Sequence, residues 1–107
     1  MKRLYDIAHA RAGDKGETSN IAVFCFRHED YPRLLAWLSA ERVKVFMGDL
    51  VLGPVERYPV ESLCAINFVL HDALRGGVTR SLALDPHGKS LSSALLAMPL
   101  VDWDEAV

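Results

Sequence analysis

The apolar run at residues 63–70, Leu-Cys-Ala-Ile-Asn-Phe-Val-Leu, constrains the fold of this chain more than any other stretch. It is the longest apolar run, with Asn67 as its only polar member, and is the best candidate for a central strand. Residues 21–26 form a second run that is apolar on both faces, which is typical of a strand covered on both sides or buried centrally. Two such strands need a core around them, and 107 residues, half of them hydrophobic, can supply one. We therefore predict a single domain over residues 1–107.

Shorter patterns predict three further strands. Residues 4–9 alternate between two faces, which puts His9 at the end of a half-buried strand. Residues 55–58 are followed by Pro59, and because proline cannot donate to a β-ladder, this strand is predicted at a sheet edge. Residues 81–84 alternate weakly and form a candidate fifth strand.

Three segments have helical spacing. The first begins near Asp30, a good N-cap, and the second runs from residue 40 or 41 to Gly48, where glycine suits a left-handed cap. The third covers residues 91–98, and the acidic tail after it is predicted to be loose, with Trp103 as its anchor. Together the elements predict an α+β sandwich of the ferredoxin-like type, in two layers, with an antiparallel sheet and helices on one face.

Composition argues against several classes of partner. The formal net charge is −2, whereas domains that bind nucleic acid usually carry a strong basic excess. No apolar stretch approaches the ~18 residues of a membrane span, and no signal peptide follows the basic start, so we predict a soluble cytoplasmic protein without a membrane partner. Cys25 and Cys64 lie inside apolar runs and are predicted to be structural thiols. The histidines lack metal-ligand spacing, so we predict neither a metal nor a cofactor.

Residues 10–20 form the most unusual polar stretch, Ala-Arg-Ala-Gly-Asp-Lys-Gly-Glu-Thr-Ser-Asn, and we predict a loop there. Gly13 and Gly16 bracket an Asp-Lys pair, so that the backbone could turn its N–H groups inward around an anion. Arg11 and Lys15 would add positive charge. Short hydrogen-bonding side chains follow at Thr18, Ser19 and Asn20. The alternative is an ordinary polar hairpin connection.

A second glycine-containing stretch lies at residues 71–80. Its glycines stand between two arginines, and its notable residues are Arg75, Gly76, Gly77, Thr79 and Arg80. If the strands that precede the two stretches are neighbours, both stretches reach one edge of the sheet. They could then form a pocket for a carboxylate, a phosphate or an acyl-thioester head group. Solvated loop charge is the alternative.

His9 and His71 each end a predicted strand beside one of these stretches, so the two histidines could approach one another in a sheet. Either could act as a general acid or base. No nucleophile motif or complete catalytic signature accompanies them. The sequence therefore leaves both a catalytic and a non-catalytic chain open.

Several segments together resemble the C-terminal domain of the acyclic terpene utilisation (AtuA-like) proteins. They are residues 7–21, 53–58, 66–68 and 76–82, in the same order as in that family. The resemblance implies a ferredoxin-like fold and a bacterial, cytoplasmic setting near pathways that degrade branched isoprenoid acids through coenzyme A thioesters. Family members usually carry this domain behind a larger N-terminal domain, so the resemblance implies a separately encoded partner of that type. Glu17 departs from the pattern, because Asp is expected there.

Three functions are consistent with these observations. The first is a small non-catalytic or co-catalytic subunit that associates with itself and with the larger partner, and that binds an acyl-CoA or another anionic small molecule. The second is a free-standing enzyme of acyl-CoA or hydroxy-acid metabolism with His9 or His71 as the base. The third is a structural or regulatory dimerisation module of the ACT type. The predicted ligand-binding residues are Arg11, Gly13, Asp14, Lys15, Gly16, Ser19, Asn20, Asn67, Gly76, Gly77, Thr79 and Arg80.

Overall fold

The computed structural model describes residues 1–73 and 90–106, which contain four strands and three helices. The strands are β1 (Ala8–Lys15), β2 (Thr18–Cys25), β3 (Val55–Val60) and β4 (Ala65–Leu70). The helices are α1 (Tyr31–Trp37), α2 (Ala40–Met47) and α3 (Ser90–Leu96). The strands pair antiparallel in the order β1-β2-β4-β3, and the helices cover one face. This arrangement is consistent with the predicted ferredoxin-like α+β class.

The core lies between the sheet and the helices. Ile21 and Val23 of β2 pair with Phe68 and Ile66 of β4, and all four side chains are fully buried. The residues that alternate with them point to the other face, where most are exposed or half-buried. The run at 63–70 was predicted to be a central strand, and the run at 21–26 to be covered on both sides or buried centrally. The central position of both is confirmed, since β2 and β4 are the two inner strands of the described sheet. Cover on both sides is not observed in the described residues, because the second face is mostly polar or lined by small side chains.

The first strand begins later and runs further than the sequence pattern predicts. Leu4–Asp6 form a 3-10 turn, because the Asp6 carboxylate accepts a hydrogen bond of 2.7 Å from the Arg3 N–H. β1 then continues through the predicted loop, and a two-residue turn at Gly16 and Glu17 leads into β2. Gly16 has φ of 64°, and positive φ at the first central residue alone is the type II′ pattern that matches strand twist. The strand predicted at 4–9 is therefore confirmed only for residues 8 and 9, and the loop predicted at 10–20 is wrong except at residues 16 and 17. The stretch belongs to a hairpin, as in the alternative, but most of it lies in the two strands.

The first two helices begin differently. α1 begins directly after Asp30, as predicted, but the Asp30 side chain makes no capping hydrogen bond and its backbone is already helical, with φ of −83° and ψ of −13°, so the predicted N-cap is not confirmed. The Ser39 hydroxyl does cap α2, by accepting a hydrogen bond of 3.0 Å from the Arg42 N–H. Gly48 ends α2 with φ of 55°, as glycine allows, but its ψ of −127° lies outside the left-handed helical region. The predicted end of α2 is thus confirmed, and the predicted cap conformation is not.

The other two strands also differ at their ends from the predicted boundaries. β3 lies at an edge of the described sheet, as predicted, but it runs through Pro59 to Val60. β4 begins at Ala65 instead of residue 63, because Glu61–Leu63 form a 3-10 turn and Cys64 has a left-handed conformation with φ of 49°. The strand predicted at residues 81–84 lies outside the described residues.

The C-terminal tail is packed onto the helices. Trp103 is buried, and its ring meets that of Trp37 edge to face, with centroids 5.9 Å apart. The Trp37 indole N–H also donates a hydrogen bond of 2.7 Å to the Val101 carbonyl. The prediction of a loose tail is therefore wrong, whereas the anchoring role of Trp103 is confirmed.

Candidate functional site: the open face of the sheet

The sheet face that points away from the helices carries charged, amide, imidazole and aromatic side chains from the four described strands. We call it the open face. Strand register assigns its members, since residues paired across antiparallel strands lie on the same side. They are His9, Arg11, Gly13 and Lys15 of β1, Thr18, Asn20, Ala22 and Phe24 of β2, Ala65, Asn67 and Val69 of β4, and Glu56, Tyr58 and Val60 of β3. His71 joins them just beyond β4, where it contacts Glu56.

Polar side chains from three strands surround the centre of the open face. Ala22 pairs with Arg11 on one side and with Asn67 on the other, so its short side chain leaves space between them. The Asn20 amide nitrogen donates a hydrogen bond of 3.3 Å to the Asn67 side-chain oxygen. A Cβ at Gly13 would lie 3.1 Å from the Asn20 side-chain oxygen, so glycine is what lets Asn20 lie close to β1. This centre offers a guanidinium and two amides to a ligand.

One end of the open face carries a hydrogen-bonded cluster of His71, Glu56 and Tyr58. His71 Nε2 lies 2.8 Å from Glu56 Oε2, and the Tyr58 hydroxyl donates a hydrogen bond to Glu56 Oε1. Hydrogen bonds from Tyr58 and then from His71 lower the pKa of Glu56, and the same carboxylate raises the pKa of Tyr58. A carboxylate that holds an imidazole in one orientation is a common arrangement for general acid–base chemistry.

The backbone fixes His71 beside this carboxylate. The His71 N–H donates to the Pro54 carbonyl at 3.1 Å, and the His71 carbonyl accepts from the Gly53 N–H at 2.9 Å. Sequence reasoning did not include Glu56 or Tyr58 in the site. The signal was present, because both lie at alternate positions of a short strand predicted at the sheet edge.

The opposite end of the open face is aromatic. The His9 ring stacks on Phe24 with centroids 5.0 Å apart and on Phe26 with centroids 5.6 Å apart. Phe26 follows β2 and is 58% exposed. His9 and His71 therefore lie at opposite ends of the face, about 20 Å apart along the strand direction at 3.3 Å per residue. The expectation that the two histidines could approach one another is wrong.

The remaining predicted site residues are divided between the two faces. Ser19 is 2% exposed and lies on the helix side, where its hydroxyl donates a hydrogen bond of 3.1 Å to the Gly13 carbonyl. Asp14 pairs with Ser19 and shares that side, whereas Lys15 ends β1 on the open face. Because this stretch is a paired, extended strand, the predicted concavity of N–H groups does not form there. The predicted residues Gly76, Gly77, Thr79 and Arg80 lie outside the described residues.

Across residues 1–73 and 90–106, no group of three or more His, Cys, Asp or Glu side chains could hold a metal ion. None of the helices in the same ranges is long and apolar enough to cross a membrane.

The antiparallel sheet, covered by helices on one face and open on the other, defines the chain as a small ferredoxin-like α+β domain. The family model described as AtuA ferredoxin-like domain matches residues 2–101, so the chain belongs to this family. The resemblance seen in the sequence segments is thereby confirmed. Comparisons with curated proteins and with solved structures gave no match.

The close contact at Gly53 gives a first prediction. A Cβ there would lie 2.8 Å from the His71 carbonyl oxygen and 2.9 Å from the His71 Cβ, so Gly53→Ala must push the two segments apart. We expect the free energy of unfolding to fall by about 1–3 kcal/mol in urea titrations, as for other overpacked sites. Gly13→Ala is the matched control, since its Cβ meets only the movable end of Asn20. Equal losses for both variants would contradict the proposed crowding at His71.

The hydrogen bond from Tyr58 gives a second prediction, on pH dependence. Because the pKa of Glu56 is lowered in the folded state, its contribution to stability is present above the unfolded pKa and is lost as the pH falls through the folded pKa. Tyr58→Phe should therefore lower the thermal midpoint at pH 7, and the difference from the native chain should be smaller at pH 3 than at pH 7. Tyr5→Phe, at another exposed tyrosine, should show no pH-dependent difference. If Tyr58→Phe lowered the thermal midpoint by the same amount at pH 7 and at pH 3, this interpretation would be refuted.

Proposed function

We propose that this chain is a binding subunit that holds an anionic acyl ligand on the open face of its sheet, together with a larger partner of the AtuA type. One observation carries the proposal. Arg11, Asn20 and Asn67 come from three different strands and surround the small side chain of Ala22 on one face. These residue types can bind a negative charge and a carbonyl group at the same time.

Each residue would have a distinct role. Arg11 would bind a carboxylate or phosphate, and Lys15 would add charge at the hairpin end of the same face. The Asn67 amide nitrogen would donate to a carbonyl oxygen, because Asn67 uses its side-chain oxygen to accept from Asn20. Ala22 would leave room for the ligand between these groups.

The exposure of the open face supports the proposal that a partner protein covers the bound ligand. His9, Arg11 and Asn20 are exposed, so a ligand on them would keep one side in water. Small-molecule sites in proteins usually bury most of the ligand surface. The aromatic end formed by His9, Phe24 and Phe26 offers apolar area of the kind that protein interfaces contain. A partner that covers this end would enclose the ligand between two proteins.

The ligand part of the proposal is tested by calorimetric titration with coenzyme A and a branched short-chain acyl-CoA. Replacing both Arg11 and Lys15 by alanine should weaken binding by about tenfold or more, since each removes a charge-assisted contact. The matched control replaces Lys2 and Arg27, which are exposed and lie outside the open face. Unchanged affinity in the first variant, or an equal loss in the control, would refute the site.

The partner part is tested separately, by a pull-down of the tagged chain from its native lysate and mass spectrometry. We expect one large protein with an AtuA-type N-terminal domain, in fixed ratio. The amount of this partner recovered per tagged chain should fall when His9 and Phe26 are replaced by alanine. Recovery of the domain alone, with a dimer mass by light scattering, would favour the dimerisation module instead.

A second candidate function is general acid–base catalysis by His71, with Glu56 as the positioning residue. The 2.8 Å contact between their side chains favours His71 over His9, whose ring contacts are with Phe24 and Phe26. The isolated chain should then turn over an acyl-CoA substrate, and both His71→Ala and Glu56→Gln should slow it by about 100-fold or more. Activity that survives His71→Ala would exclude this candidate.

A further inference from the structure

The fold brings together two cysteines that are far apart in the sequence. The pairing of β2 with β4 extends to Phe24 and Ala65, and Cys25 and Cys64 are the next residues along the two segments. The Cys25 N–H donates a hydrogen bond of 3.0 Å to the Cys64 carbonyl. The Cys64 N–H donates instead to the Glu61 carbonyl at 3.0 Å, so one backbone hydrogen bond joins the two cysteines. Disulfides join Cα atoms at about 4.4–6.8 Å, and a direct backbone hydrogen bond brings two residues close to that range.

The surroundings of the two thiols point to one shared environment. Both cysteines are half-buried and pack against the same core cluster. The Tyr31 hydroxyl donates a hydrogen bond of 2.8 Å to the carbonyl of Ala65, the residue after Cys64. The pKa of Tyr31 is raised by burial first, then by Glu61, and then by both cysteines. The two thiols therefore lie close to the same tyrosine.

The two cysteines differ in their local setting. Burial, followed by Asp30 and Cys64, raises the pKa of the Cys25 thiol to about 11, so Cys25 stays protonated at neutral pH. Cys64 lies in a left-handed turn between Glu61–Leu63 and β4. This asymmetry indicates that Cys64 is oxidised first, to a sulfenic acid, and that Cys25 then attacks this sulfenic acid.

We propose that Cys25 and Cys64 form a reversible intramolecular disulfide when the folded chain meets hydrogen peroxide. The Cys64 thiolate attacks one peroxide oxygen, the O–O bond breaks, and the other oxygen leaves as hydroxide and becomes water. The sulfur of Cys25 then attacks the resulting Cys64 sulfenic acid. The S–O bond breaks, the hydroxyl leaves as water with the Cys25 proton, and the S–S bond forms. Two thiols lose two electrons to one peroxide, and a dithiol reductant reverses the reaction.

The bridge would connect the ends of a long segment that contains α1, α2 and β3. Closing a long loop restricts the unfolded chain more than closing a short one, so the oxidised form should be the more stable form. We expect its thermal midpoint to rise by about 10 °C. The bridge would lie on the helix side of the sheet, because Cys25 shares that side with Ile21 and Val23 and both cysteines pack against the core.

The experiment uses the folded native chain. It is treated with hydrogen peroxide, the remaining thiols are blocked with N-ethylmaleimide, and the chain is digested with trypsin without reduction. The expected product is peptide 16–27 linked to peptide 58–75, with an intact mass lower by two hydrogen atoms and restored by dithiothreitol. Oxygen adducts on either cysteine, or linked dimers, without this peptide pair would overturn the proposal.

Serine variants test the order of the two steps. Cys25→Ser should accumulate a sulfenic acid at Cys64 that a dimedone probe captures, whereas Cys64→Ser should react with the probe about tenfold more slowly. The reverse pattern would overturn the assignment of Cys64 as the first to react. The native chain alone decides whether the bridge forms, so the proposal is testable even if a serine variant does not fold.

Discussion

Replacing Phe68 by alanine is expected to lower the free energy of unfolding by about 3–5 kcal/mol. Phe68 is fully buried in the middle of β4, where it pairs with Ile21 on the helix side of the sheet. Truncation removes a large apolar side chain and leaves a cavity that the surrounding strands and helices cannot fill completely. Urea titration followed by circular dichroism measures the loss.

The adjacent residue provides the control. Asn67→Ala should cost only about 0.5–1 kcal/mol, because it removes one hydrogen bond of 3.3 Å at a half-buried position on the open face. The same variant should weaken ligand binding, whereas any loss of binding in Phe68→Ala should follow the loss of folded protein. Similar stability losses for the two variants would contradict the assignment of the two faces, and with it the proposed site.

Replacing Trp37 by alanine is expected to cost a similar amount, about 3–5 kcal/mol. Trp37 is 4% exposed, meets the Trp103 ring edge to face, and has the Arg42 guanidinium 4.2 Å from its ring centroid. Its N–H also binds the Val101 carbonyl. The substitution therefore removes both the ring contact and the hydrogen bond that Trp37 makes with the C-terminal tail.

Fluorescence gives a second measurement for this variant. Trp103 is then the only tryptophan, and release of the tail should shift its emission to longer wavelength. Trp37→Phe is the matched control, because it keeps an aromatic ring while it removes the indole N–H and part of the ring. It should cost about 1–2 kcal/mol and leave Trp103 buried. A Trp37→Ala loss below about 1 kcal/mol, with unchanged emission, would show that Trp37 does not hold the tail.

Much of the site could be predicted, but not its geometry. The polar stretch at residues 10–20 was identified for its Arg11, Lys15 and Asn20, and these three do lie on one face. The predicted loop was wrong because two glycines were both interpreted as turn residues. Only Gly16 has positive φ, whereas Gly13 lies in β1 and accommodates Asn20. A single sequence cannot distinguish a glycine that turns from a glycine that allows close approach.

The chain by itself determined the segments of β2, β3 and β4 and of the three helices to within a few residues, where the α2 helix would end, and which family the chain resembles. These properties depend on local patterns, such as alternation, helical spacing and capping residues, that act within a few positions. Tertiary structure alone decided that Glu56 meets His71, that Cys25 lies beside Cys64, and that His9 and His71 are at opposite ends of the face. Such contacts depend on strand order and register, and a shift of one residue would move every side chain to the other face. Register follows from burying all the apolar faces together, so it is a property of the whole fold.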